Sequence, residues 1–349
     1  MRIAQLAPTY ERVPPAAYGG TELIVHLLTE ELVRRGHDVT LYASGDSVTA
    51  ARLKSVTDRP MRYGELRNGL RHAEYFQLAN AQACYLDAAA GAFDVVHNHA
   101  GIEGLVLAAS SRTPVLTTNH NTYVPETAPI WAAYDWAHNS LSAASAATFP
   151  SRGAMPPIHH GIDVSSFPVG ATPDGYLLFL GRFSPEKGAA VAVEAAKRAG
   201  RRLILAGKID TVDEEYFRAS VEPDVDGATI RYVGEADGPT KRRLLAGADA
   251  LLFPIDWDEP FGLVMIEALA SGTPIIGFRR ASVPEVVEDG VTGYVVDDVE
   301  TMTDRIGRLS AIDRLGCRQA AERRFGVARM ADDYERHYAA LVRSATVAG

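Results

Sequence analysis

Ala248-Asp249-Ala250-Leu251-Leu252-Phe253-Pro254-Ile255-Asp256-Trp257-Asp258-Glu259-Pro260-Phe261-Gly262-Leu263-Val264-Met265-Ile266-Glu267-Ala268-Leu269-Ala270-Ser271-Gly272 is the stretch whose reading decides the fold. It opens on a short apolar run over 250–253, of the kind shown by a parallel strand covered on both faces. It closes on a helical pattern over 263–270, stopped by Gly272, a residue that tolerates positive φ. Between them a polar loop carries Asp256, Asp258 and Glu259 and is broken by Pro260 and Gly262. A strand, a polar loop and a helix N-terminus form the ligand crevice of an open α/β sheet. Backbone N–H groups near Phe261, Gly262 and Leu263 would point into that crevice.

The same unit recurs along the chain. A strand over 3–7 runs through a Pro-rich loop to Gly19-Gly20-Thr21-Glu22, then a helix up to Arg34-Arg35, ended by Gly36, and a second strand over 37–42. Glycines at the mouth of that helix allow close approach of a ligand, and the N-terminus favours an anion. Their spacing is not G-x-G-x-x-G, which disfavours a nicotinamide dinucleotide and hence an oxidoreductase. A further strand over 176–181 leads into Arg182-Phe183-Ser184-Pro185-Glu186-Lys187-Gly188 and an Ala-rich helix. Arg182 at the strand end and Lys187 at the helix start are two fixed cations on one loop, the arrangement a diphosphate needs. Strands are also expected over 202–206, 230–234 and 274–278, with a last amphipathic helix over 332–342.

Two strands of the first half end in histidines: Asp94-Val95-Val96-His97-Asn98-His99 and Val115-Leu116-Thr117-Thr118-Asn119-His120. The spacing raises zinc, but no cysteine lies near, and strand-end histidines suit ligand contact equally well. His97 reads as structural. Asp256, Asp258 and Glu259 raise a divalent cation; with Arg182 and Lys187 available to neutralise a diphosphate, no metal is expected.

Glu259 and Glu267, with seven residues between them, resemble the E-x7-E motif of the retaining GT-B glycosyltransferases of family 4. The run from Glu259 to Pro274 follows that family's Glu-Pro-Phe-Gly-Leu-x-x-x-Glu-Ala-x-Ala-x-Gly-x-Pro, and 181–188 follows its Gly-Arg-x-x-x-x-Lys-Gly. The resemblance covers residues 1 to about 342 and is most specific over 176–293. It implies an α/β chain of GT-B fold: two Rossmann-like domains facing across a cleft, with the C-terminal helix crossing back to the first. The implied domains are 1–165 with the helix 328–349 (acceptor side) and 166–327 (nucleotide-sugar donor side).

The implied activity is retaining transfer of a sugar from a nucleotide-diphosphate donor, UDP slightly ahead of GDP, to an unidentified small-molecule, saccharide or lipid-linked acceptor. By the same resemblance Arg182 and Lys187 bind the donor phosphates, and Glu259 with the N–H groups of Phe261, Gly262 and Leu263 holds the sugar hydroxyls. Glu267 holds the ribose, Val233 lies beside the base, Gly19 and Gly20 face the phosphates and the acceptor, His120 touches the sugar, and His99 has an acceptor-side role. The nucleotide sugar is a co-substrate, and no further cofactor is implied. His160 stands where the family has Asn, and Lys208-Ile209 where it often has a second glycine. A nucleotide-sugar epimerase or hydrolase on the same scaffold, or a non-catalytic sugar-nucleotide binder, remains the alternative.

Bulk properties agree with a two-domain chain of 349 residues: 47% hydrophobic, 23% charged. The formal charge of −9 argues against nucleic acid. Cys84 and Cys317 form no ligand pattern and read as reduced thiols. No secretory pattern and no apolar run of spanning length is present, so a cytoplasmic protein is expected. Arg52, Lys54, Arg59, Arg62, Arg67 and Arg71 outnumber Asp58 and Glu65 over 52–71. That segment reads as a solvated basic loop and helix, with weak peripheral membrane contact as the use the resemblance adds.

Overall fold

In a computed structural model, residues 1–16, 19–61, 70–133, 137–170 and 172–348 are described. They form two compact units, one of Met1–Gly161 with Val327–Gly349 and the other of Ile162–Gly326.

The first unit holds six strands: β1 (Arg2–Leu6), β2 (Asp38–Tyr42), β3 (Arg52–Lys54), β4 (Val95–Asn98), β5 (Val115–Asn119) and β6 (Ala137–Ser140). They pair in parallel in the order β3-β2-β1-β4-β5-β6. The second unit holds β7 (Tyr176–Leu180), β8 (Arg202–Ala206), β9 (Ile230–Tyr232), β10 (Ala248–Phe253), β11 (Ile275–Phe278) and β12 (Gly293–Val296). Its order is β12-β11-β10-β7-β8-β9, again parallel throughout. Each sheet therefore has the doubly wound 3-2-1-4-5-6 order, with a switch point between its first and fourth strands: β1 and β4, then β7 and β10. The strands carry near-continuous apolar runs because helices cover both faces; Leu251 and Leu252 of β10 and Leu177 and Leu178 of β7 are wholly buried.

The helix Gly20–Arg34 buries Ile24, Val25, Leu28 and Leu32, a stripe at helical spacing. The last helix spans Val327–Ala348, longer than the 332–342 expected, and packs in the first unit beside Gly20–Arg34. Met330, Ala331, Tyr334 and Tyr338 are its buried face, while Arg35 ties it down through Asp332 (2.6 Å), Glu335 (2.7 Å) and the Ala328 carbonyl (2.7 Å).

The basic segment departs from its reading as a loop. Arg52–Lys54 is the edge strand β3, paired to β2; Arg52 lies 3.9 Å from Asp38, and Lys54 binds Asp87. Arg62, Arg67 and the Arg71 side chain lie outside the described residues. Among the described residues no helix is long and apolar enough to cross a membrane. Burial pushes the thiols of Cys84 and Cys317 upward, leaving neither a ready nucleophile.

Candidate functional site

The second unit gathers most of the sequence-marked residues at its switch point. The loop after β7 carries Arg182 and Lys187, and the loop after its neighbour β10 carries Glu259. Two contacts lock these loops together. Asp256 N–H donates to the Glu186 carbonyl at 2.7 Å. Gly188 is left-handed (φ 76), and a Cβ there would lie 2.1 Å from the Pro254 carbonyl oxygen. No other residue allows so close an approach in that conformation.

Lys187 Nζ is hydrogen-bonded to Glu259 Oε2. The same oxygen accepts from Trp257 Nε1 at 2.9 Å, and the ammonium sits 4.5 Å from the centre of the Trp257 ring. Among the described residues Glu259 Oε1 has no partner, so one carboxylate oxygen is held and the other is available. Arg182 donates to Glu186 Oε1 at 2.7 Å and lies 3.8 Å from both Asp210 and Asp213. Burial drives the Glu186 carboxyl up, but bonds from Ser184, its own backbone and Arg182 outweigh this and hold it below its usual range. Asp213 goes the other way, raised by burial. Both cations thus wait among carboxylates, which keep them in place at the cost of competing with an incoming anion.

Glu267 is only 4% exposed. Lys241, on the helix Gly238–Gly247, pairs with it. The helix Leu263–Ala270 begins after Gly262, which is left-handed at φ 80. The N–H groups of Gly262 and Leu263 have no partner among the described residues, so the helix start can receive an acceptor oxygen. The Phe261 ring is core (1% exposed), edge-on to Phe325, and its carbonyl accepts from Ser282 at 2.7 Å; only its backbone faces the loop. Asp256 pairs with Arg280, and Asp258 lies 3.9 Å from it. Val233 follows β9, two strands beyond β7, and is 39% exposed.

In the first unit His99 and His120 follow β4 and β5 directly, at the carboxyl end of the sheet. His99 Nδ1 and His120 Nε2 are 2.8 Å apart, and His97, wholly buried, lies in ring contact with His99 (centroids 3.8 Å). Burial first, then the neighbouring histidines, keeps His97 and His99 well below the usual imidazole range; burial alone pushes His120 down to about 3. His160, given no chemistry from sequence, stacks on His120 at 5.5 Å.

Gly19 and Gly20 open the helix Gly20–Arg34, but its mouth holds the Glu22 carboxyl: a Cβ on Gly19 would lie 3.1 Å from Glu22 Oε2. Burial raises this acid from 4.5 to about 7, against its own backbone hydrogen bond and aided by the Glu11 charge. Ionised, it would repel a phosphate from the helix start; protonated, it would not. The raised value also has a sign for stability. Folded and unfolded chains are both protonated below pH 4.5; the folded chain is then penalised as pH rises to about 7, and the penalty is constant above. Glu22→Gln lacks that penalty. Its stability relative to the wild type should therefore grow by about 3 kcal/mol between pH 4.5 and 8 in urea unfolding. A pH-independent difference would discard the buried acid.

Sequence reasoning missed Lys241, Trp257 and His160. Trp257 lay in the quoted loop, where its ring and N–H could have been weighed. Lys241 and His160 carry no spacing signal, because each meets its partner only through the fold.

Two family models match the chain: residues 18–164 match that for Glycosyltransferase Family 4 and residues 174–311 that for Glycosyl transferases group 1. The phosphatidyl-myo-inositol mannosyltransferase of Mycobacterium tuberculosis (strain CDC 1551 / Oshkosh) is 31% identical over 153 residues, 40% of this chain and 39% of that protein. The matched stretch thus spans about two fifths of that relative. The glycogen synthase of the same strain is 27% identical over 343 residues, 84% of this chain and 81% of that one. Among solved structures, AviGT4, a glycosyltransferase involved in avilamycin A biosynthesis, superposes with a TM-score of 0.76 at 26% identity over 98% of both chains.

Proposed function

We propose, from the premise that this chain belongs to the family 4 glycosyltransferases of GT-B fold, that it transfers a sugar from a nucleotide-diphosphate donor to an acceptor with retention at the anomeric carbon. The observation that carries this reading is the cluster at the β7–β10 switch point: Lys187 bound to Glu259, with Arg182 on the same loop as Lys187.

The second unit would hold the donor. An ammonium has three donor hydrogens, so Lys187 can keep Glu259 and still reach a phosphate oxygen. Arg182 would turn part of its fork from Glu186 to the diphosphate, each charge-assisted bond contributing about 1.5–3 kcal/mol. Glu259 Oε1 would accept from sugar hydroxyls, with the N–H groups of Gly262 and Leu263 donating beside it. Glu267, steadied by Lys241, would accept from the ribose hydroxyls. In the first unit His120 would take a sugar hydroxyl.

In the chemical step the anomeric carbon's bond to the diphosphate breaks, the acceptor oxygen bonds to that carbon, and the acceptor proton passes to the departing phosphate. The charge of Glu259 is already shared with Lys187 and Trp257, which makes it a poor nucleophile. That supports departure and attack on one face over a covalent glycosyl-enzyme. One named relative is a phosphatidyl-myo-inositol mannosyltransferase and another a glycogen synthase, so both a lipid-linked and a saccharide acceptor belong in the test.

Thermal-shift screening against UDP- and GDP-hexoses should find a stabilising donor, since a ligand stabilises by RT ln(1 + [L]/Kd). With that donor and an acceptor panel, turnover should persist in EDTA, and the fresh product of an α-linked donor should show the anomeric coupling of an α-glycoside. A β-product would overturn retention. Loss of turnover in EDTA, restored by Mn²⁺ or Mg²⁺, would give Asp256 and Asp258 a ligand role. Release of free sugar with every acceptor would favour a hydrolase.

A further inference from the structure

The buried polar groups from Asn139 to His120 in the first unit fall into one head-to-tail order, which can be followed from its inner end. Asn139 Nδ2 donates to the Ser140 carbonyl (3.3 Å), so its Oδ1 is the acceptor for the Thr118 hydroxyl (2.8 Å). With its hydrogen spent on Asn139, the Thr118 oxygen accepts from the Tyr334 hydroxyl (3.2 Å) and from His97 Nε2 (2.7 Å). A neutral imidazole carries one N–H, so His97 Nδ1 accepts the Tyr338 hydroxyl (2.6 Å). The Tyr338 oxygen in turn accepts from Gln5 Nε2 (3.1 Å), which turns Gln5 Oε1 toward His99 Nε2 (2.8 Å). His99 therefore donates from Nε2, and its bare Nδ1 accepts from His120 Nε2–H (2.8 Å). The sequence of bonds ends there: His120 Nδ1 is left as a lone pair, buried, with no partner among the described residues.

We propose that Tyr338 and Gln5 are positioning residues which, acting through His99, hold His120 in the Nε2–H tautomer, so that its Nδ1 accepts a hydroxyl at the carboxyl end of β5. The ligand's chemistry rests on the transferase reading; the tautomer does not. An acceptor-only nitrogen suits a sugar hydroxyl and has nothing to offer a phosphate oxygen, which lacks a hydrogen. Tyr338 lies far along the chain on the last helix, wholly buried, and Gln5 lies within β1. Neither need touch substrate, yet each sets which nitrogen of His120 is bare.

The test is long-range ¹H–¹⁵N correlation on the full chain labelled at its ten histidines, with His120 assigned by comparison with His120→Asn. The expected wild-type result is a neutral His120 protonated at Nε2, with the downfield shift of a bare nitrogen at Nδ1, from pH 5 to 8. A proton on Nδ1 of His120 would overturn the proposal with no variant needed. In Tyr338→Phe the Gln5 amide loses its acceptor and can turn over. His99 and His120 should then show both tautomers, and turnover should drop about tenfold or more while the Kd for UDP stays within twofold. An unchanged single tautomer would remove Tyr338 from the role. Because the spectra involve no turnover, failure of the tautomer assignment and failure of the transferase reading are separate results.

Discussion

Lys187→Ala is expected to lower kcat by about a hundredfold or more, the cost of removing one preorganised donor to developing charge. Two effects add in this variant. The leaving diphosphate loses a cation, and Glu259, largely buried, keeps only the Trp257 N–H. Arg182→Ala should also cost about a hundredfold or more, through the first effect, with the Lys187–Glu259 pair left in place. Steady-state kinetics with the donor found by screening checks both, and losses of tenfold or less in the two variants would remove the diphosphate assignment. The double variant Lys187→Ala/Glu259→Ala separates the contributions. If the pair acts as a unit, its loss should fall well short of the product of the single losses.

Glu259→Ala and Glu267→Ala should fail in opposite ways, although both belong to one motif. Glu259 sits where the sugar hydroxyls are expected, so its removal should abolish most turnover while the Kd for free UDP or GDP stays near the wild-type value. Glu267 is assigned to the ribose, so its removal should weaken free nucleotide by about tenfold, the worth of one hydrogen bond to a charged group. Isothermal titration with the free nucleotide reads the contrast directly. Unchanged nucleotide affinity in Glu267→Ala would exclude the ribose role, and full turnover in Glu259→Ala would exclude the sugar role.

What the sequence by itself determined is local. The strand, loop and helix of 248–272 were legible because an apolar run, a Pro-Phe-Gly break and a helical pattern ended by glycine are consecutive along the chain, and the helix lies over Leu263–Ala270 as read. The cation loop 181–188 was legible for the same reason. Short or polar strands were not. β3 is three residues of Arg-Leu-Lys, and β6 is Ala-His-Asn-Ser; each extends because a parallel neighbour offers a hydrogen-bonding edge, not because of its own propensity.

Only the tertiary structure decided the partners. Lys187 meets Glu259 because β7 and β10 are neighbours across a switch point, though 72 positions separate the two residues. Lys241 reaches Glu267, and Gln5 reaches Tyr338 across 333 positions. Charge type and periodicity say which residues can ionise or face a core. Strand order decides which of them come within hydrogen-bonding distance, and burial then decides which protons they keep. That is why His120 reads from sequence as a ligand contact, while the nitrogen it offers follows from seven hydrogen bonds that link residues from β1 to the last helix.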